Sequence, residues 1–359
     1  MSFTIRPDEG ISKAIRRVAR AQLGKAADTL RDGGQPLCQR IHLMRTSIKR
    51  VRALIALARP AAPHGARRAD RRLRRLAGAT SELRDAEVVL MTLDGVWPAP
   101  TGIRKDTALT CIRAELVARL STVERTFETE KTIERLIKRL LRERHRTREW
   151  VPANKKSGWD GWEKLWNRPA ARVSKSYRRA RRAMARASRD GGTEAFHDWR
   201  KSVKRHRYHL QFLHGAPSDE SIAKLAGLEE LGELLGEEHD LAVLEATVAN
   251  DAKALPGGAD RDRLSAAITK RRRALEAKAG PLGERLFGMR PRAFRGRLQS
   301  RLRQEHQDRS RVHGSGHGHP HPQGQTDTLA DPGDRRSSAA HAAPSPVVMP
   351  SARQRLTLV

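Results

Sequence analysis

One polar motif, His-x-x-Arg-x-Ser-x-Lys-Arg-x-Arg, occurs twice in this chain at a constant offset of 155 positions. The first copy is His42, Arg45, Ser47, Lys49, Arg50 and Arg52; the second is His197, Arg200, Ser202, Lys204, Arg205 and Arg207. The offset persists downstream, where Asp85 maps to Asp240, Val88 to Val243 and Thr92 to Thr247. A fixed offset between two such stretches predicts two structural repeats of one kind. At about 100° per residue, Arg45, Lys49 and Arg52 fall within roughly 80° of one another and of His42. Arg50 lies on the flank. Met44, Ile48, Val51 and Ile55 centre on the opposite side. In the second copy His197, Arg200, Lys204 and Arg207 form the basic stripe, which Lys201 and Tyr208 extend. Trp199, Val203, Leu210 and Leu213 form the apolar side. Each helix thus offers one face to a core and another to an anion.

Helical periodicity runs through nearly every segment from Gly10 to Arg303, and alternating strand patterns are absent. The expected helices lie near 11–32, 37–59, 66–93 and 104–148 in the first half, with a break allowed in the last. Those of the second lie near 169–189, 193–214, 218–250 and 258–279, with a short terminal helix near 292–305. Pro60, Pro63, Pro98 and Pro100 punctuate the first half, and Gly191-Gly192, Pro217 and Pro256-Gly257-Gly258 the second. A connector with Trp150, Trp159, Trp162 and Trp166 joins them. The expected fold is all-α: two four-helix bundles related by internal duplication and pseudo-twofold symmetry. Repeat one spans about 11–149, the connector 150–167 and repeat two about 168–305. The basic stripes then lie outside the cores, or face one another across the junction and make a cleft. Residues 306–359 are rich in Gly, Pro, Ser and His and are expected to be disordered.

The net charge of +31 over 359 residues requires an anionic partner to relieve self-repulsion. Nucleic acid, inorganic polyphosphate and acidic membrane surfaces all qualify. An aromatic content of 4% argues against readers of single strands, which need stacking platforms. The two cysteines, Cys38 and Cys111, lack CxxC partners, so no zinc site is built on them. The His-rich run from His313 to His321 can bind nickel or zinc on composition alone; no metal site and no cofactor are expected of the helical part. No apolar run approaches the ~18 residues of a spanning helix, and no signal core leads the chain. Membrane insertion is therefore not expected, and the location is expected to be cytoplasmic.

The repeated motif, followed by Arg84-Asp85-Ala86-Glu87-Val88 and His239-Asp240-Leu241-Ala242-Val243, resembles the CHAD family, the conserved histidine α-helical domain. The most specific stretch is His197-Asp198-Trp199-Arg200-Lys201-Ser202-Val203-Lys204-Arg205-His206-Arg207-Tyr208. The resemblance covers most of residues 11–303 and places the CHAD domain in 1–305. It implies two four-helix bundles and binding of inorganic polyphosphate along a basic surface or channel. It also implies association with polyphosphate granules, or in some members polyhydroxyalkanoate granules. The ExExK motif of the CYTH domain, which precedes many CHAD domains, is absent, so a stand-alone, non-catalytic protein is expected.

Polyphosphate offers about one negative charge per unit and no base edges, so its receptor needs repeated cations along a track. Arg45, Arg52, Arg200 and Arg207 suit bidentate contacts to phosphate oxygens, and Lys49 and Lys204 add point charges. His42 and His197 would gain a proton when phosphate binds, which predicts tighter binding as pH falls from 7.5 to 6. Lys13 and Arg17 on the first helix extend the surface, as do Lys175, Arg178 and Arg182 on its counterpart. Asp85 and Asp240 are expected to be structural, and Arg271-Arg272-Arg273 to be solvated. Four other readings compete: solvated helix faces, salt-sensitive nucleic-acid binding, binding of a storage polyester through the Trp150–Trp166 connector, and phosphoryl chemistry. A glycine-rich GxxxxGK[ST] loop for the last is absent.

Overall fold

The computed structural model describes residues 3–6, 9–97, 107–127, 130–151, 162–214, 218–250 and 259–314. The tail from 315 onward, with most of its histidines, lies outside the described residues, as do Trp159 and the side chains of Trp162 and Trp166. Among the described residues the structure is helical throughout, with no strand. The helices are α1 (Ile11–Arg31), α2 (Leu37–Ala58), α3 (Pro63–Gly78), α4 (Ser81–Val96), α5 (Thr107–Phe127), α6 (Glu130–His145), α7 (Thr147–Trp150), α8 (Trp162–Asp190), α9 (Gly192–Leu213), α10 (Asp219–Asn250), α11 (Ala259–Phe287) and α12 (Pro291–Gly314). No described helix is long and apolar enough to cross a membrane.

The two motif helices match in extent: shifting α2 by 155 residues gives α9 from first residue to last. Their apolar faces are buried as the helical period requires. Met44, Ile48, Val51 and Ile55 line the core from α2, and Trp199, Val203, Leu210 and Leu213 line it from α9. α9 starts abruptly because Gly191 and Gly192 take φ of 62° and 75°, a backbone region that suits glycine. Thr92 and Thr247, one offset apart, make the same bond: each hydroxyl donates to the carbonyl four residues earlier, at 2.6 and 2.9 Å.

Several expected elements differ from the observed ones. The helix expected over 66–93 breaks at Ala79-Thr80 into α3 and α4. That expected over 104–148 divides into α5, α6 and the single turn α7. α11 continues through Pro281 to Phe287 instead of stopping near 279. α12 runs on to Gly314, past the expected end near 305.

Burial is arranged around two apolar clusters. The larger draws on α1 to α3, the start of α4, the end of α5, α6 to α9, the first half of α10, the end of α11 and α12. The smaller joins Val89, Leu93, Leu109, Ile112 and Leu116 to Leu241, Leu244, Val248, Leu264, Ile268 and Leu275. Each cluster takes residues from both halves of the sequence. α2 packs on α9, and α4 on α10, so both motif helices and both helices bearing the downstream aspartates meet at the middle. Polar bonds reinforce this junction. The Arg172 guanidinium donates to the Ala56 carbonyl at 2.9 Å, and His209 Nε2 lies 3.1 Å from the Ala53 carbonyl.

One tight helix approach lies beneath α9. A Cβ at Gly283 would sit 2.5 Å from Trp199 Cζ2 and 3.0 Å from Met184 Sδ. Trp199 is only 1% exposed, so its ring has nowhere to move. Gly283→Ala is expected to destabilise the protein by about 1–3 kcal/mol through overpacking. Gly280→Ala, where a Cβ meets nothing within 4 Å, is expected to be neutral or slightly stabilising. Urea denaturation of both variants checks the contrast.

Candidate functional site

The basic stripes of α2 and α9 meet in one electrostatic neighbourhood. Lys49, from the first copy, lies close enough to Arg200 of the second to be repelled by it, together with Arg45 and Arg84. Solvent reaches Lys49, yet protein crowds its other sides. This withdrawal from water, with those three cations, lowers its pKa to about 8, against a weaker pull from Asp240. Lys204 is half-buried. Burial first, then Arg200 and Lys49, hold its pKa well below the ordinary lysine value. The basic stripes of the two copies are therefore close enough to share one field.

The two copies seat their arginines by different means. Arg45 donates to the Ala77 carbonyl and, at 3.1 Å, to the Thr80 hydroxyl. The break between α3 and α4 makes these acceptors available, because a carbonyl at a helix end has lost its partner within the helix. In the second half the equivalent helix, α10, is continuous. There Gly232 and Gly236 open a shallow groove: a Cβ at Gly236 would be 3.7 Å from Arg200 Nε, and one at Gly232 would be 3.9 Å from Lys204 Cε. Asp240 forms an ion pair with Arg200 at 3.8 Å and is buried. Asp85 is attracted by Arg45 and Arg84 and repelled by Asp240; burial is the largest influence and raises its pKa. The repeated aspartates thus lie among the repeated cations and partly neutralise them.

A histidine pair lies beside these cations. His197 and His239 stack with ring centroids 4.2 Å apart, and the Nδ1 atom of each is buried without a hydrogen bond. Burial, Lys201 and Arg200 hold His197 below its usual pKa, and burial with Arg200 and His197 brings His239 to about 4. In the empty protein His197 is thus harder to protonate than a free imidazole, through burial and the same cations that would attract a phosphate. In the sequence His239 carries no mark of a site residue beyond its place directly before the repeated Asp240, where the first half has Arg84.

A second cationic group lies along the same helices. Burial is the main cause that lowers the Arg205 pKa, and Arg179, Arg52 and Arg74 add to it. Arg52 donates to Asp70 at 2.8 Å, and Arg74 to the same carboxylate at 2.6 Å. Arg207 pairs with the exposed Glu229 at 2.7 Å, and Lys201 with Asp198 at 2.6 Å. His42 and Lys13 are exposed.

Other expected contributors are placed elsewhere. Arg17 makes a forked pair with Glu9, at 2.6 to 3.0 Å, and also donates to the Thr4 carbonyl. It therefore anchors the N-terminal segment and is not an open cation. Tyr208 is buried, edge-on to Phe3 at 6.2 Å, because that segment folds back over α9. Arg50 stands over the same Phe3 ring at 5.6 Å. Arg272, expected to be solvated, bonds Glu238 at 2.8 Å and Glu245 at 2.6 Å. Trp150 is core, 1% exposed. A dent lined by Asp262, Ser265, Ala266, Thr269, Lys270 and Arg273 belongs to α11 alone and contains none of the motif. Among the described residues no three His, Cys, Asp or Glu side chains are grouped to hold a metal.

Lys49 gives a stability signature. An unfolded lysine keeps its proton up to about 10.5, whereas folded Lys49 loses it near 8. Between these values the unfolded chain binds more protons, so folded stability is expected to rise with pH across that window. Lys49→Met should be more stable than the parent at pH 7 and should flatten the rise. Urea midpoints between pH 7 and 10 measure this; a variant less stable at pH 7 would make the ammonium a structural anchor.

Comparison with known proteins identifies the family and the fold. The CHAD domain family matches residues 13–249 of the chain. None of the curated proteins matches it. Among solved structures, the chain is similar to the crystal structure of the CHAD domain from the plant Ricinus communis. The two share 20% identity at a TM-score of 0.54, over 83% of this chain and 94% of the plant chain. At that identity the likeness shows the fold.

Proposed function

This chain belongs to the CHAD domain family, and we propose that it binds inorganic polyphosphate, without catalysis, in the cleft between α2 and α9. The observation that carries this reading is the meeting of Lys49 and Lys204, one from each motif copy. Neither ammonium has a hydrogen bond or ion pair among the described residues; Arg200 lowers the proton affinity of both, and Lys49 adds to the effect on Lys204. Like charges held together in this way are costly to an empty protein and favourable to one that holds a polyanion. Arg45, Arg200, Arg52 and Arg205 continue the positive track on either side, and His197 and His239 offer ring nitrogens to phosphate oxygens. A polymer with no base edges and evenly spaced charge suits such a track better than one that must be read by stacking.

The cleft carboxylates support a binding role over a catalytic one. Asp85 and Asp240 are drawn to Arg45 and Arg200, whereas phosphoryl transfer relies on carboxylates that hold metal or on a glycine-rich phosphate loop. We propose further that the two halves descend from one duplicated four-helix unit. The matched extents of α2 and α9 and the paired Thr92 and Thr247 bonds support that history. A place at cytoplasmic polyphosphate granules follows from the proposed ligand.

Titration of the full chain with long-chain polyphosphate in about 150 mM salt tests the site. Lys49→Gln with Lys204→Gln is expected to weaken binding tenfold or more, since a charge-assisted hydrogen bond contributes about 1.5–3 kcal/mol. Unchanged affinity would place the polymer elsewhere. Affinity should also fall as pH rises from about 7 to 9, because above its pKa Lys49 must take up a proton to hold the anion. The double variant should lose that dependence; a parent whose affinity is flat over this range would exclude Lys49 as a contact.

A further inference from the structure

Much of the positive charge lies away from the cleft. From Arg285 to Gln304 the sequence has seven arginines and no acid. From Ala171 to Arg189, on α8, it has eight lysines and arginines and again no acid. The fold lays these two stretches side by side, since α12 packs along α8. The Tyr177 hydroxyl donates to the Met289 carbonyl at 3.0 Å, its ring stacks on Phe294 at 4.0 Å, and Ser174 donates to the Pro291 carbonyl at 3.3 Å. These contacts fix the start of α12 on α8.

The way α12 is docked decides which side chains face outward. Phe294, Leu298 and Leu302 are its buried stripe. Arg292, Arg295, Arg297 and Arg303 are exposed, as are Arg178 and Arg182 on α8. None of these six makes an ion pair among the described residues. With Phe294 at zero and about 100° per residue, the buried stripe centres near 40°. Arg292, Arg295 and Arg303 then lie at about 100–180°, and Arg297 at about 300°. Between these flanks the outward crest holds the small exposed residues Ala293, Gly296 and Ser300.

We propose that this α8–α12 face docks duplex DNA, with α12 along a groove and the flanking arginines on the phosphates of the two strands. A B-form major groove about 12 Å wide admits an α-helix. A helix with its side chains is about 10–12 Å across, so arginines on opposite flanks reach the two groove edges, and the axial rise from Arg292 to Arg303, about 16 Å, runs along them. A convex crest between two cationic flanks matches two rows of phosphate, whereas a single flexible polyanion is better held in the concave cleft. A membrane surface would call for apolar anchors as well as charge. The large apolar side chains exposed among the described residues are Met91, Val117 and Ile222, and none is on α8 or α12. α12 lies beyond residue 249, where the family match ends, whereas α8 lies within it; none of the six arginines belongs to the repeated motif.

The test uses the full chain and a labelled 20-base-pair DNA duplex at two salt concentrations, with long-chain polyphosphate measured in parallel. Arg292→Gln, Arg295→Gln and Arg303→Gln together leave the buried stripe intact, and an unchanged urea midpoint verifies folding. The triple variant is expected to bind the duplex at least tenfold more weakly. The slope of log affinity against log salt should fall by about two to three, since each phosphate contact contributes about 0.9. Its polyphosphate affinity should stay within about twofold of the parent's. The Lys49→Gln, Lys204→Gln variant should show the reverse pattern, so failure of the cleft reading and failure of this one are distinguishable. Absence of duplex binding by the parent, unchanged duplex affinity in the triple variant, or an equal loss of polyphosphate affinity would each overturn the proposal.

Discussion

Like-charge crowding at the contact between α2 and α9 is the constraint on which the rest of the molecule depends. Lys49, Lys204, Arg45, Arg84 and Arg200 are held within reach of one another's fields, so something must hold the two helices together against that repulsion. The apolar faces on the far side of each helix supply it. Met44, Ile48 and Val51 from α2, and Trp199 and Val203 from α9, are each at most 1% exposed. Full burial of such side chains stabilises by about 1.5–3 kcal/mol apiece. Asp85 and Asp240 then temper the field without cancelling it. Cations are thus kept strongly attractive to an anion on a scaffold that does not depend on them.

The two copies of the motif show how one requirement can be met by two backbones. Arg45 needs an acceptor, and a helix break at Ala79-Thr80 provides one. Arg200 and Lys204 need space, and Gly232 and Gly236 leave it on an unbroken helix. Shifted by the repeat offset, Gly232 falls on Ala77, whose carbonyl Arg45 takes, and Gly236 falls on Ser81. The seat is kept in the same place while its construction has changed.

Much of this is legible in the sequence. The helical period of α2 and α9 identifies their buried faces, and the fixed offset by itself links the two copies. The place of Asp85 and Asp240 beside cations is foreseeable for the same reason. Other features depend on contacts between distant segments. Arg17 looks like part of a basic stripe until Glu9 folds back onto it. Tyr208 looks like a surface residue until Phe3 covers it. A helical wheel treats each helix alone, so it cannot register a neighbour that arrives from the N-terminus. The break at Thr80 is hidden because Ala77, Gly78 and Ala79 fit either a continuous helix or a turn. His239 is hidden because its partner, His197, belongs to a different helix.

The two apolar clusters carry a consequence for how the chain is held together. Each takes side chains from before and after the segment joining α7 to α8: Leu93 and Leu116 meet Leu241 and Leu264, and Ile48 meets Val203. A gene cut between Val151 and Trp162 would therefore encode two polypeptides, each with a half-built interior. Neither would be expected to fold alone, yet the surfaces they leave uncovered are complementary. Co-synthesised, such fragments should reassemble into one particle and recover the cleft only when joined.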